Sequence, residues 1–167
     1  MIDMSWLVIT GFTTVVIIYY IAIFTLFIVT TVFFCKWVHR ACTNAHGFSN
    51  AMTITPNWAV GWYFIPVAAL FMPYKAMAEI WNASAPQGAG RGVLVTWWSL
   101  FITIIAAATI SIIIQYVWGG QAYVLTSCID VLNEFITIAQ SIFAIKLVKC
   151  VTKFQEEKIN GDSVKAS

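Results

Sequence analysis

Charged residues are scarce in this sequence: of 167 residues, nine are basic and seven are acidic, together 10% of the chain. A soluble domain of this length usually has about a quarter of its residues charged. Hydrophobic residues make up 60%, and a single core surrounded by water cannot bury that much apolar surface. The composition therefore excludes an ordinary soluble domain and predicts an all-α integral membrane protein.

Catalytic motifs are lacking as well. The sequence contains no nucleophile with a neighbouring base, no phosphate-binding loop and no dinucleotide-binding glycine pattern. We therefore predict that the protein is not an enzyme and uses no cofactor. The net charge of +2 is small, and the lysines of the last residues are spread rather than clustered. This pattern does not indicate binding to nucleic acid.

Cysteine and histidine recur at helical spacing just after the first apolar run, at Cys35, His39, Cys42 and His46. Sulfur and imidazole ligands would suit zinc or copper. On one helix, however, positions 35 and 46 lie about 16 Å apart, so these side chains alone cannot surround one ion. We predict no metal site here and expect His39 to form a hydrogen bond at the membrane surface.

Three apolar runs are long enough to cross a bilayer as helices, which takes about 20 residues. They cover about residues 6–35, 93–118 and 122–147. Trp97 and Trp98 lie near one end of the second run and Trp118 lies at the other, as expected for aromatic residues at membrane–water interfaces. Gly119 and Gly120 follow directly, so we predict that the second and third runs form an antiparallel hairpin.

Residues 57–84 start with a fourth apolar stretch. Whether this stretch crosses the membrane decides the topology. It has no charge between Pro56 and Pro73, but it is short, and Pro66 removes a backbone donor within it. If it does not cross, all nine basic residues lie on one side, which the positive-inside rule makes cytoplasmic. If it crosses, they divide seven to two. We favour a re-entrant or interfacial segment over a fourth span.

A short amphipathic helix is predicted over residues 74–83, with Pro73 at its first position. Apolar and charged side chains fall on different faces, which is typical of a helix lying on the cytoplasmic surface. We predict that residues 1–152 form a single membrane domain and that residues 153–167 form a polar cytoplasmic tail. The amino terminus is then outside and the carboxyl terminus inside.

Tryptophan, proline and glutamate recur in a distinctive order in the middle of the chain. WAVGWYFIP at 58–66 is followed by PY at 73–74 and EIWNAS at 79–84; WVHRA at 37–41 and NA at 44–45 precede them, and TWW follows at 96–98. This combination resembles the domain of unknown function 4328 family over roughly residues 30–150. The resemblance implies a multi-pass protein of the bacterial inner membrane, and it implies no activity because the family has none assigned.

Asp130 and Glu134 lie on one helical face of the third run, in the outer half of the bilayer as counted from Lys146. Each charge there costs about 2.5–3.5 kcal/mol. This polar stripe, with Gln115 at a similar depth, is interpreted either as a proton or cation path or as a set of hydrogen-bonding groups. The second interpretation, which we favour, pairs the carboxylates with Ser111, Gln115, Tyr19, Tyr20 or a partner subunit. The other residues of the stripe are Asn133, Thr137 and Ser141.

Aromatic residues are dense on the predicted cytoplasmic side. They could line a pocket for a lipid or quinone, but aromatic side chains at an interface more often act as anchors. Arg40 and Glu79 lie on the same side, and we predict an ion pair that clamps the amphipathic helix to the first span. The aromatic residues concerned are Trp58, Trp62, Tyr63, Phe64, Phe71, Tyr74 and Trp81.

Two functions remain compatible with these features. The first is an accessory or scaffold subunit whose apolar helices pack against other membrane-protein subunits. The alternative is a homo-oligomeric channel or carrier for protons, ions or a small molecule, with the polar stripe lining the path. We favour the first because the sequence shows no repeated half of the kind that carriers use.

Overall fold

A computed structural model of the protein describes the backbone of residues 4–165 and the side chains of residues 10–161. All regular elements in this part of the chain are helical, which confirms the predicted all-α class. Three short 3₁₀ helices, at Trp62–Phe64, Ala68–Leu70 and Gly119–Ala122, join or extend the α-helices. The α-helices are α1 (Met4–Phe48), α2 (Pro56–Gly61), α3 (Met72–Ser84), α4 (Gly92–Trp118) and α5 (Tyr123–Lys165).

Two helical stretches, Thr10–Phe48 and Gly92–Gly161, are long and apolar enough to cross a membrane by length and composition. The first lies within α1, and the second contains α4, the turn after it and α5 as far as Gly161. None of the most apolar window of the first stretch is buried, and only 6% of the second. Apolar side chains therefore face outward, which fits association with a membrane.

The chain divides into two compact units, residues 1–38 and 39–167, with the division inside α1. In the first unit, threonine hydroxyls bond to carbonyl oxygens one turn earlier in the same helix. Thr14 Oγ1 donates to the Thr10 carbonyl at 2.7 Å, and Thr25 Oγ1 donates to the Ile21 carbonyl at 2.8 Å. These polar side chains are thus satisfied without a partner helix.

In the second unit, α4 and α5 form the antiparallel hairpin that the sequence predicted. Gly119 ends α4 with a φ of 56°, and its N–H bonds to the Gln115 carbonyl. Glycine adopts this left-handed conformation at little cost. The sense of the hairpin is visible in its contacts, because Ser111 meets Asp130, whereas a residue earlier in α4, Ile104, meets one later in α5.

Residues 56–71 fold back on α3 as α2 and two 3₁₀ helices. Ile65 is extended before Pro66, as the proline requires. Two residues before the segment, the Ile54 N–H bonds to the Glu79 carboxylate at 3.1 Å. At its end, the chain enters α3 at Met72, only about 10 Å along the helix axis from Glu79. The two ends of the segment therefore lie closer together than the roughly 30 Å thickness of a bilayer core.

The predicted amphipathic helix is confirmed as α3, and the core lies against it rather than within the hairpin. Most of the buried side chains come from the end of α1, from α3, from the start of α4 and from residues 147–155 of α5. The predicted polar tail contributes to this core, because α5 continues to Lys165 and Gln155 is buried. The largest fully buried apolar side chains outside α1 are Met77, Ile80, Leu94, Leu147 and Val151.

Candidate functional site

The loop of residues 49–55 connects α1 to α2 without regular structure, and we call it the latch loop. A backbone without helix or strand partners needs side chains or water for its hydrogen bonds. Glu79 on α3 supplies them: it accepts the Thr53 N–H at 2.8 Å, the Thr53 hydroxyl and the Ile54 N–H at 3.1 Å. One carboxylate therefore holds the loop against α3.

The same loop is held from the other side by the last turns of α1. The Ile54 carbonyl accepts hydrogen bonds from Cys42 Sγ at 3.4 Å and from His46 Nε2 at 3.0 Å. Since a carbonyl only accepts, His46 carries a proton on Nε2. His39 Nε2 contacts Asn57 Oδ1 at 3.1 Å. Three side chains considered above as metal ligands thus bind the chain that follows α1.

The predicted ion pair between Arg40 and Glu79 is wrong. Arg40 is exposed, and the carboxylate bonds to the latch loop instead. Burial of the Glu79 carboxyl opposes its ionisation, but the hydrogen bonds from Thr53 and Ile54, helped by the charge of Lys75, outweigh this and hold its pKa below the usual value. Backbone N–H groups serve a carboxylate as well as a basic side chain does, and the pattern of charges does not reveal them.

Gln155 is the centre of a second polar cluster, which we call the Gln155 hub. Its Nε2 donates to the Ala41 carbonyl at 2.9 Å and to Ser84 Oγ at 3.0 Å, and its Oε1 accepts from Asn44 Nδ2 at 3.0 Å. Both amide hydrogens are therefore used, and the side chain is only 5% exposed. The hub connects α5 to the last turns of α1 and α3.

Lys158 adds a contact one turn beyond the hub. Its ammonium donates to the Ala83 carbonyl at 2.6 Å and lies 5.4 Å from the centre of the Phe48 ring. The last carbonyls of a helix lack partners inside the helix, and a cation there also meets the negative end of the helix dipole. Lys158 therefore provides a hydrogen-bond donor for the Ala83 carbonyl in the last turn of α3.

The sequence analysis does not predict the contacts of Gln155 and Lys158. For Gln155, however, the sequence does contain a signal. Leu147, Val151 and Gln155 follow one another at intervals of four residues, so they lie on one face of α5. An apolar stripe that continues into a polar segment and contains one glutamine marks a buried amide. The charged residues around Gln155 make this buried face difficult to recognise in the sequence.

The predicted aromatic cluster is divided among separate contacts. Trp58 and Trp62 stack with ring centres 4.6 Å apart, and Trp58 stays half-exposed. Tyr74 instead contacts Trp98 on α4, with ring centres 6.1 Å apart. Tyr63 is half-buried. These contacts involve different partners, and a pocket for a lipid or quinone at these residues stays a prediction.

Trp81 belongs to the core and not to the surface. It is 3% exposed and meets the Phe154 ring edge-on, with ring centres 5.4 Å apart. Its Nε1 is buried and has no hydrogen-bond partner among the residues that the structure describes. Trp81 therefore joins α3 to α5 by packing, beside the Gln155 hub.

Two residues of the predicted polar stripe, Asp130 and Asn133, form hydrogen bonds with α4. Asp130 accepts a hydrogen bond from Ser111 Oγ at 2.9 Å, and Ser111 is only 3% exposed. Asn133 Nδ2 donates to the Ile104 carbonyl at 3.4 Å. Its Oδ1 is buried with no hydrogen-bond partner in the described part of the chain. The pairing of Asp130 with Ser111 is thus confirmed.

The other α5 residues of the stripe, Glu134, Thr137 and Ser141, are exposed. Thr137 Oγ1 donates to the Asn133 carbonyl and Ser141 Oγ donates to the Thr137 carbonyl, both at 2.9 Å, so both hydroxyls are satisfied within α5. The exposed carboxylate of Glu134 forms no hydrogen bond or ion pair with a described residue, and nor does the exposed side chain of Gln115. Glu134 is therefore an exposed ionisable group on α5, with the exposed apolar side chains of Val131 and Ile138 beside it.

A comparison with protein families places most of the chain in one of them. The family model described as Domain of unknown function (DUF4328) matches residues 3–153. The matched part includes the latch loop, Glu79 and the whole polar stripe. Comparisons with curated proteins and with solved structures found no match.

Proposed function

We propose that this chain, which belongs to the DUF4328 family, is a non-enzymatic accessory or scaffold subunit that packs against partner helices in a larger bacterial membrane complex. The observation that carries the proposal is the exposed Glu134 carboxylate on the apolar surface of α5. A carboxylate in lipid is costly, and packing this surface against another protein reduces that cost.

In this proposal the chain crosses the inner membrane three times, at about residues 6–35, 93–118 and 122–147. The hairpin supports two of these spans, because the second apolar stretch turns back at Gly119–Ala122. The short distance between the two ends of the segment 56–71 supports a re-entrant or interfacial course for it. With that course all nine basic residues lie on the cytoplasmic side, which puts the amino terminus outside and the carboxyl terminus inside.

The cost of a charge in lipid is the physical basis of the proposal. An ionised side chain in the apolar core costs about 2.5–3.5 kcal/mol. Asp130 offsets part of this through Ser111, but Glu134 has no such partner within the described chain. Large apolar side chains surround it, and Val131, Phe135 and Ile138 are each more than half exposed. Packing a second helix on this surface removes Glu134 from lipid and provides it with a hydrogen-bond donor.

The test compares association and transport in the same set of variants. Tagged wild-type chain and Glu134→Leu are purified in mild detergent from the native host, and the co-purifying subunits are identified by mass analysis. We expect Glu134→Leu to lose most of its partner, and Thr137→Val, one turn away, to keep it. The wild type alone in proteoliposomes is expected to show no ion flux.

The alternative is a homo-oligomeric channel or carrier, and one observation favours it. Asn133 Oδ1 is buried without a partner among the described residues, and along α5 Asn133 stands between the exposed residues Asp130 and Glu134. Such a series of polar atoms resembles a path for protons or cations. Flux by the purified wild type that disappears in Glu134→Gln, with unchanged co-purification, would favour this function over the scaffold.

A further inference from the structure

Glu134 also indicates the chemistry of the partner. We propose that a transmembrane helix of a different protein binds this face of α5 and presents a lysine or arginine side chain to the Glu134 carboxylate. The inference rests on the proposed function, because it specifies what kind of subunit the scaffold holds.

The position of Glu134 makes it available to another chain. Asp130 is exposed as well, but its carboxylate accepts a hydrogen bond from Ser111 on α4, whereas the exposed Glu134 carboxylate has no partner among the described residues. Val131 and Ile138, three residues before it and four after it, are also exposed and lie on the same side of the helix. A carboxylate between two apolar side chains is the surface that a helix with one cation complements.

A cation is a better partner here than a hydroxyl or an amide. Hydrogen bonds between ionised groups are shorter and about twice as strong as those between neutral ones. Ionisable side chains within membranes are accordingly found paired with one another or with backbone carbonyls. The serine that serves Asp130 comes from the same hairpin, so its contact forms as the chain folds. A contact that must recruit a separate protein gains more from a charge.

A second copy of this chain does not supply the cation. Its apolar runs contain no basic residue between Asp3 and Lys36, or between Arg91 and Lys146. Copies inserted in the same orientation place equal residues at equal depths, so Glu134 of one copy meets the middle of the other. Lys146 lies twelve residues further along, about 18 Å on a helix, which is beyond the reach of a lysine side chain. The partner is therefore a different protein.

The experiment uses the full chain in lipid vesicles and three synthetic peptides as probes. Each peptide is a leucine-rich transmembrane helix with lysine, glutamine or leucine about 18 Å from its cytoplasmic end, the depth of Glu134 as counted from Lys146. Energy transfer between labelled peptide and labelled chain measures association. We expect the lysine peptide to bind at least about tenfold more tightly than the other two, since breaking a buried charge pair costs more than 1.4 kcal/mol.

Two variants locate the effect. Glu134→Gln is expected to remove the preference for lysine while still binding the glutamine peptide. Asp130→Asn is the matched control, because it removes a carboxylate one turn away that bonds to Ser111, and it is expected to keep the preference. Elution of each variant as a single species shows that it folds, and the peptide comparison on the wild type alone needs no variant.

Three outcomes overturn the inference: equal binding of the three peptides, a lysine preference that survives Glu134→Gln, and self-association that needs Glu134 and excludes the lysine peptide. The last would indicate two copies sharing a proton. If the lysine preference is absent but co-purification of the native partner still requires Glu134, the inference fails and the proposed function stands. If the preference is present but the chain alone conducts ions, the proposed function fails instead.

Discussion

The α4–α5 hairpin and the region around α3 are stabilised in different ways. We call the second region the junction, and it consists of residues 39–57, α3 and residues 147–160. In the described chain the hairpin has two side-chain hydrogen bonds between its helices. The junction contains the Gln155 hub and the latch loop, and it holds most of the buried side chains. Specific polar contacts therefore concentrate where the chain leaves the apolar segments.

The environment explains this difference. In lipid, helices satisfy their own backbone, and apolar side chains gain little by leaving lipid for protein. At the junction, irregular loops and helix ends have backbone groups that need partners, and apolar side chains are buried in a core. Most buried side chains and most specific polar contacts therefore belong to the junction, whereas the hairpin leaves many large apolar side chains exposed.

The largest expected effect is the loss of the Gln155 hub. Gln155→Leu removes three hydrogen bonds and leaves the half-buried Asn44, the buried Ser84 and the Ala41 carbonyl without this partner. We expect a loss of about 3 kcal/mol in the free energy of unfolding, and a fall in Tm of roughly 6–12 °C, measured by thermal unfolding in detergent. Gln115→Leu is the control in the hairpin, because that side chain is exposed, and its effect should stay within about 0.5 kcal/mol. Equal effects of the two variants would contradict the comparison.

The next effect concerns Glu79 and the latch loop. Glu79→Ala leaves the N–H groups of Thr53 and Ile54 without their acceptor, and we expect a loss of about 2 kcal/mol in the same unfolding assay. Arg40→Gln is expected to change stability by less than about 0.5 kcal/mol, because Arg40 is exposed. The ion pair rejected above would regain support if Arg40→Gln were as damaging and Arg40→Glu with Glu79→Arg restored stability.

The same carboxylate makes stability depend on pH. Because the pKa of Glu79 is lower in the folded protein than its ordinary value of 4.5, its contribution is fully present above that value. It decreases as pH falls through the lowered pKa of the folded state. The difference in Tm between wild type and Glu79→Gln should therefore be constant near neutral pH and shrink in acid. A difference that grows in acid would show that the carboxylate is not stabilised as described.

The smallest expected effect lies in the hairpin. Ser111→Ala removes the hydrogen bond to Asp130, and such bonds between membrane helices contribute about 0.6 kcal/mol on average. Asp130→Asn should cost less still, because an amide oxygen also accepts from the serine. Unfolding in mixed micelles measures both. If Ser111→Ala destabilised the protein as strongly as Gln155→Leu, the polar contacts of the hairpin would contribute as much to stability as those of the junction.

Several elements could be predicted because their signals are local. The hairpin follows from two long apolar runs separated by Gly119 and Gly120, and α3 follows from Pro73 and an amphipathic pattern. Pro66 disfavours a continuous helix over residues 56–71. The sequence does not decide whether this segment crosses the membrane. The partner of Glu79 was predicted wrongly, since Arg40 has the complementary charge but the loop backbone offers donors that no side-chain pattern records.

What the sequence by itself determined is which segments can lie in lipid and which cannot, since this depends on the length and polarity of each segment alone. The tertiary structure alone decided the partners of the buried polar side chains. Gln155 bonds to Ala41 and Ser84, which are 114 and 71 residues away along the chain. A hydrogen bond depends on atoms meeting within about 3 Å and in the right direction. That meeting is set by how the helices pack and not by any pattern within one of them.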